Sequence, residues 1–201
     1  MTVRWVDVNK GDDQNPNVRS RLVARQIRNP GTDAIFAPTP PLEALRTALS
    51  LAATDLPGRQ PRCRDPLSED RVQVSFVDIS RAYFNASTDP ENPTYVQLPA
   101  EDPDSGRDVC GLLLKHMYGT QRAAEGWQSE YSSTLVDKLG FQQGIACPCM
   151  FVQAERDIVI TVHGDDFTAV GPKRQLDLYE SMLEKSYELT KGGRLGPGAS
   201  D

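Results

Sequence analysis

The sequence predicts an α+β fold in which a sheet is layered against helices. Three observations predict it: period-two apolar alternation in 72–78 and through Ile158, Ile160 and Val162, apolar residues at helical steps in 123–139 and 173–187, and the order strand, helix, strands, helix. At 201 residues a single domain buries roughly 70% of its unfolded surface. One domain, or one domain plus an appendage, is therefore expected.

Each element has a local cause. Residues 3–10 and 18–28 alternate basic with apolar side chains around the turn-rich stretch 11–17, which predicts a β-hairpin with an arginine-studded face. Pro40 and Pro41 precede Leu42, Leu45 and Leu49 at helical spacing, so 42–53 is read as a helix. Residues 54–70 hold three prolines, three arginines and little that is apolar, the composition of a loop or a disordered insert. Strand 72–78 ends in Asp78, just before the turn-forming Ser80, and so delivers a carboxylate at its edge. Past a proline-rich excursion, 109–115 reads as a buried strand. Trp127, Tyr131, Leu135 and Leu139 step by four toward Gly140, the pattern of an amphipathic helix with a glycine stop. Residues 150–153 and 157–163 are strand-like, and 167–170 continues after the tight Gly164-Asp165-Asp166 connection. Leu176, Tyr179, Leu183 and Tyr187 mark a closing helix over 173–187.

No stretch approaches the ~18 apolar residues of a bilayer span, and the start lacks the apolar core of a secretory signal. Membrane and secreted classes are excluded on this reading, and an intracellular setting, a cytoplasmic particle or the nucleus, is expected. Cys63, Cys110, Cys147 and Cys149 are scattered, which implies a reducing compartment and no structural zinc. The net charge of −6 is unevenly spread: Met1–Arg64 carries ten Lys/Arg against six Asp/Glu, the remainder twelve against twenty-two. A basic third suits an anionic ligand and an acidic remainder suits cations held by carboxylates, although unevenly solvated faces give the same arithmetic.

Two features share one chemical logic. Asp78 ends an apolar strand, where a carboxylate has no packing role, and Asp165-Asp166 sits at the tip of an apolar hairpin. Separately, strand-end aspartates cap turns and Gly-Asp pairs form hairpin loops. Together they describe three carboxylates held by backbone geometry, the requirement of two Mg²⁺ ions that share oxygen ligands with substrate phosphates. Such acids would repel one another without a cation, so a metal-dependent site is expected.

The stretch Asp78-Ile-Ser-Arg-Ala82-Tyr83-Phe84-Asn85 resembles the first catalytic motif of reverse transcriptases from copia-type long-terminal-repeat retrotransposons. Further phrases resemble the same family in the same order: Arg21–Arg25, Tyr95–Pro99, Leu114–Gly119, Ala123–Trp127, Gly140-Phe141, Pro148–Phe151 and Val162–Asp166, together spanning about Trp5 to Leu195. The resemblance implies a right-hand polymerase: a palm of antiparallel sheet with helices packed on one face, partial fingers and no thumb. Residues 1–71 would be fingers-like, with the loop 54–70, residues 72–195 palm-like and 196–201 a tail. It implies RNA-directed DNA polymerase activity within a retrotransposon polyprotein, here as a truncated copy, with an RNA template, a DNA or RNA primer, dNTPs and two Mg²⁺ replaceable by Mn²⁺. By position Asp78 and Asp165 would be metal ligands, with Asp166 orienting the primer end or completing the metal shell. Tyr83 falls where the family places a steric gate against the ribose 2′-hydroxyl, a position an ordinary core aromatic could equally occupy. Lys10, Arg19 and Arg21 are candidates to contact triphosphate or template, or are plain solvated strand residues.

The chain departs from the family pattern at two places. Arg122 stands where the family has a nucleotide-positioning glutamine, and His163-Gly164 replaces the usual aromatic and valine-like pair before the two aspartates, so a looser turn is expected there. The competing function is a non-catalytic nucleic-acid-binding remnant that grips RNA through Arg19, Arg21 and Arg25.

Overall fold

The computed structural model describes residues 1–27, 39–55 and 61–199. Arg28, at the end of the expected hairpin, and residues 56–60 of the expected insert lie outside the described residues. The chain divides into two compact units that interleave in sequence, Met1–Phe36 with Tyr83–Ser129, and Ala37–Ala82 with Glu130–Asp201.

In the first unit, β1 (Thr2–Asn9) and β2 (Val18–Arg25) form the expected antiparallel hairpin. Period-two geometry and the pairing Val8↔Arg19, Val6↔Arg21, Arg4↔Val23 place Arg4, Arg19, Arg21 and Arg25 on one face. The other face carries Leu22 and the buried Ala24. Two short strands, β4 (Thr94–Val96) and β5 (Gly111–Leu113), pair antiparallel, β3 (Val72–Ile79) belonging to the second unit. The buried strand expected at 109–115 is therefore only three residues long, and Val109, Leu112 and Leu114 are exposed. Its apolar run resembles a core strand, but a two-stranded ribbon covers only one of its faces.

The second unit is built on a six-stranded antiparallel sheet. Its strands are β3 (Val72–Ile79), β6 (Gln142–Gln143), β7 (Met150–Gln153), β8 (Ile158–His163), β9 (Asp166–Pro172) and β10 (Leu189–Leu195), in the spatial order β10-β3-β9-β8-β7-β6. Helix α1 (Leu42–Ala53) packs Ala48 and Ala52 on Val72, Val74, Phe76 and Val170 of one sheet face. On the opposite face lies α3 (Lys173–Leu183), whose Glu180 accepts a hydrogen bond from Ser75 Oγ at 2.6 Å. The rings of Tyr131, near the end of α2 (Ala123–Ser133), meet Phe151 and Phe167 edge-on. Helices therefore cover both faces of the sheet, which corrects the expectation of one. The physical reason is that β3, β8 and β9 are apolar on both sides, so each face needs a cover.

Helix α2 runs into a π-type turn at Thr134–Lys138 and stops at Gly140, whose φ of +74° suits only glycine without strain. Residues 61–70 form an ordered loop where a disordered insert was one expectation. Arg62 donates to the carbonyl of Leu51 at 2.9 Å and to Asp157 at 3.0 Å, while Arg64 donates to the carbonyl of Ala53 at 2.9 Å. The last turn of α1 has no basic residue of its own. These two arginines answer two of the carbonyls its C-terminus leaves open. No helix among the described residues is long and apolar enough to cross a membrane.

Candidate active site

The acids are positioned by strand pairing. β3 buries Val72, Val74, Val77 and Ile79, which fixes its register between β10 and β9 and leaves Asp78 exposed near its end. β8 and β9 are joined by the two-residue turn Gly164-Asp165, with φ +66° at Gly164 and no positive φ at Asp165. Glycine at the first central position is the requirement of a tight II′-type hairpin turn. The looser turn expected from His163-Gly164 is not seen. In the resulting register His163 faces Asp166, Asp166 faces Asp78, and Asp78 faces Thr190 of β10. These four side chains form one row across four strands on a single sheet face. Asp165 lies in the turn, and its carbonyl accepts a hydrogen bond from the Ile79 amide at 2.9 Å.

The row opens into a cleft of about 540 Å³ between the sheet and the start of α1. Asp78, His163 and Asp166 line its polar part, while Pro40, Leu42, Leu45 and Phe76 form an apolar wall. Sequence reading missed that wall and the place of His163. The parity of β8 was the available signal: with Ile158, Ile160 and Val162 on one face, His163 must lie on the other. Beyond Asp78, Arg81 holds a left-handed backbone, φ +54°, and pairs with Glu188. A non-glycine residue in that conformation costs about 1–2 kcal/mol, a kind of strain that clusters at functional sites.

The remaining candidates belong to the first unit. Tyr83 lies in a short 3₁₀ turn, Ala82–Asn85, with its ring edge-on to Tyr118 at 4.7 Å between centroids. The Arg21 guanidinium sits 5.8 Å from the Tyr118 ring centroid. Arg19 is on the same ribbon face as Arg21, Lys10 follows β1, and Arg122 precedes α2; all three are exposed.

A family model described as "Reverse transcriptase (RNA-dependent DNA polymerase)" matches residues 1–196. The chain belongs to the reverse transcriptase family. It is also 26% identical, over 98% of its length, to the "Retrovirus-related Pol polyprotein from transposon TNT 1-94" of Nicotiana tabacum, which places it among the copia-type reverse transcriptases. The chain spans about 14% of the length of that polyprotein.

Reverse transcriptases generally use divalent metal ions. Among the described residues of this chain, no three or more His, Cys, Asp and Glu side chains gather as a ready metal cage. The opposed Asp78 and Asp166 carboxylates nonetheless fit Mg²⁺ chemically, since that ion usually takes one or two carboxylates and completes its shell with water and substrate phosphates.

The His116 ring lies on bare helix backbone: a Cβ at Gly126 would come within 2.2 Å of its Nε2. Burial lowers the His116 pKa below its ordinary 6.5, against an upward pull from Glu125 and with a further lowering by Arg122. A depressed histidine pKa favours the neutral form in the folded state, so its stabilisation is complete above the unfolded value and is lost as pH falls through the folded one. The melting temperature should therefore drop as pH is lowered below about 6.5, and His116→Gln should flatten that part of the profile; an unchanged profile would remove His116 as its cause.

Proposed function

We propose that this chain carries the RNA-directed DNA polymerase centre of a retrotransposon polyprotein, joining a primer 3′-oxygen to the α-phosphorus of a dNTP with loss of pyrophosphate. The six-stranded sheet would act as the palm and the β1–β2 hairpin as fingers. The observation that carries this reading is the direct opposition of Asp78 and Asp166 on one sheet face at a cleft, in a chain of the reverse transcriptase family.

The chain's own residues then have distinct tasks. Asp78 and Asp166 present two carboxylates from neighbouring strands, where backbone hydrogen bonds and not flexible side chains set their spacing. Asp165 lies in the turn between β8 and β9 and is not gathered with this pair into a three-acid cage among the described residues. Two Mg²⁺ ions, held by the opposed pair together with substrate phosphates, would neutralise phosphate charge and activate the primer hydroxyl. Tyr83 offers a flat, half-buried ring to exclude a ribose 2′-hydroxyl. Arg19, Arg21 and Lys10 would meet the triphosphate or template, and Arg122 the nucleotide.

The test uses an oligo(dT) primer on poly(rA) with labelled dTTP. Extension should need primer, RNA template and Mg²⁺ or Mn²⁺. In parallel, Mn²⁺ should raise the melting temperature, since an ion bound only by the folded state stabilises it by about 2.7 kcal/mol at a hundred times its Kd. A chain that neither extends the primer nor is stabilised by Mn²⁺ is not a polymerase centre.

A further inference from the structure

We propose that Tyr118 is a positioning residue for nucleotide selection, its ring holding Tyr83 and Arg21 in one fixed arrangement. This rests on the polymerase reading, in which Tyr83 excludes the 2′-hydroxyl and Arg21 meets the triphosphate.

Tyr118 touches both groups. Its ring is edge-on to Tyr83, with centroids 4.7 Å apart and planes at 63°, and edge-on to Phe84 at 5.8 Å and 80°. The guanidinium carbon of Arg21 stands over the same ring, 5.8 Å from its centroid. Such edge-on and cation–π geometries are the attractive ones for an aromatic quadrupole.

The Tyr118 backbone is fixed independently of these ring contacts. Its carbonyl accepts the Ala24 amide of β2 at 2.7 Å, and the Thr120 amide and hydroxyl both donate to the Met117 carbonyl, at 3.1 and 2.9 Å. Gly119 has φ +85°, and a Cβ there would lie 2.0 Å from the Ala24 carbonyl oxygen. Strand β2 is thus pressed against the Tyr118-Gly119 turn, and Arg21, three residues before Ala24, is carried over the ring. A side chain that excludes a sugar oxygen and one that meets the phosphates of the same nucleotide are then referenced to a single ring. Both contacts use the ring face and edge, so phenylalanine should replace tyrosine while an aliphatic residue should not.

The experiment titrates dATP and ATP, each with Mg²⁺ and primed RNA, into the wild type, Tyr118→Phe and Tyr118→Leu. Wild type and Tyr118→Phe should prefer dATP by the same factor. Tyr118→Leu should lose about three- to tenfold in dATP affinity, the change expected when a ring pair and a cation–π contact are removed together. Its preference for dATP over ATP should fall as well, which general weakening would not cause. Should Tyr118→Leu fail to fold, Tyr118→Met, which fills similar volume without a ring, is read in the same way. A folded ringless variant that keeps the dATP preference overturns this role and leaves the polymerase reading standing. A wild type that binds neither nucleotide overturns both.

Discussion

Primer extension by Asp78→Asn is expected to fall on the order of 10³-fold or more, because the substitution removes half of the opposed carboxylate pair and with it several kcal/mol of charge stabilisation. Asp166→Asn should do the same, since Asp166 faces Asp78 directly and shares its cleft. Stability separates this from damage to the fold. Both aspartates are exposed, and like charges directly opposed across strands destabilise a sheet. Without metal, either variant should therefore melt at the wild-type temperature or slightly above it. With Mn²⁺, the wild type should gain stability and the variants should not. Wild-type extension by Asp78→Asn, or an unchanged Mn²⁺ response, would remove the acid pair from the mechanism.

The largest stability loss is expected from Glu180→Ala. Glu180 is 6% exposed and receives Ser75 Oγ at 2.6 Å, Arg194 Nη2 at 2.6 Å and Arg194 Nε at 3.0 Å, with Lys191 Nζ 3.4 Å away. This one carboxylate joins α3 to β3 and to the edge strand β10. Its removal takes one of two carboxylate partners from the mostly buried Arg194 guanidinium, which keeps Asp177 at 2.9 Å, and strips Ser75 Oγ of its acceptor, so the cost is about 3 kcal/mol, the lower end for a broken buried pair. At about 2–4 °C per kcal/mol for a chain of this size, the melting temperature should fall by on the order of 10 °C. Glu184→Ala is the control: it breaks a half-exposed pair with Lys191, which is worth ~1 kcal/mol or less. Equal urea midpoints for the two variants would show that Glu180 does not join these elements.

Elements with a private periodicity were legible from sequence. The hairpin β1–β2, α1, β3, β7, β8 and the buried stripe from Trp127 to Leu139 all appear where alternation or helical spacing puts them. Strand β10 was not legible. Its sequence, Leu-Thr-Lys-Gly-Gly-Arg-Leu, has no alternation, because an edge strand with a bulge between Lys191 and Arg194 buries little of either face. Strands β4 and β6 were missed for a similar reason, being three and two residues long. The loop at 61–70 looked unstructured by composition, yet its arginines answer carbonyls of a helix ending several residues earlier. Composition counts residues and cannot see such a pairing.

The sequence by itself determined the family, through ordered motifs, and the candidate acids, through carboxylates placed at the ends of apolar strands. Those features are local, so they survive in a one-dimensional reading. Only the tertiary structure decided that Asp166 stands opposite Asp78, that His163 joins their row, and that Tyr118 lies against both Tyr83 and Arg21. Each of these depends on pairing between segments remote in sequence. Strand register and ring packing are set by burial on both partners at once, which neither partner's own sequence contains.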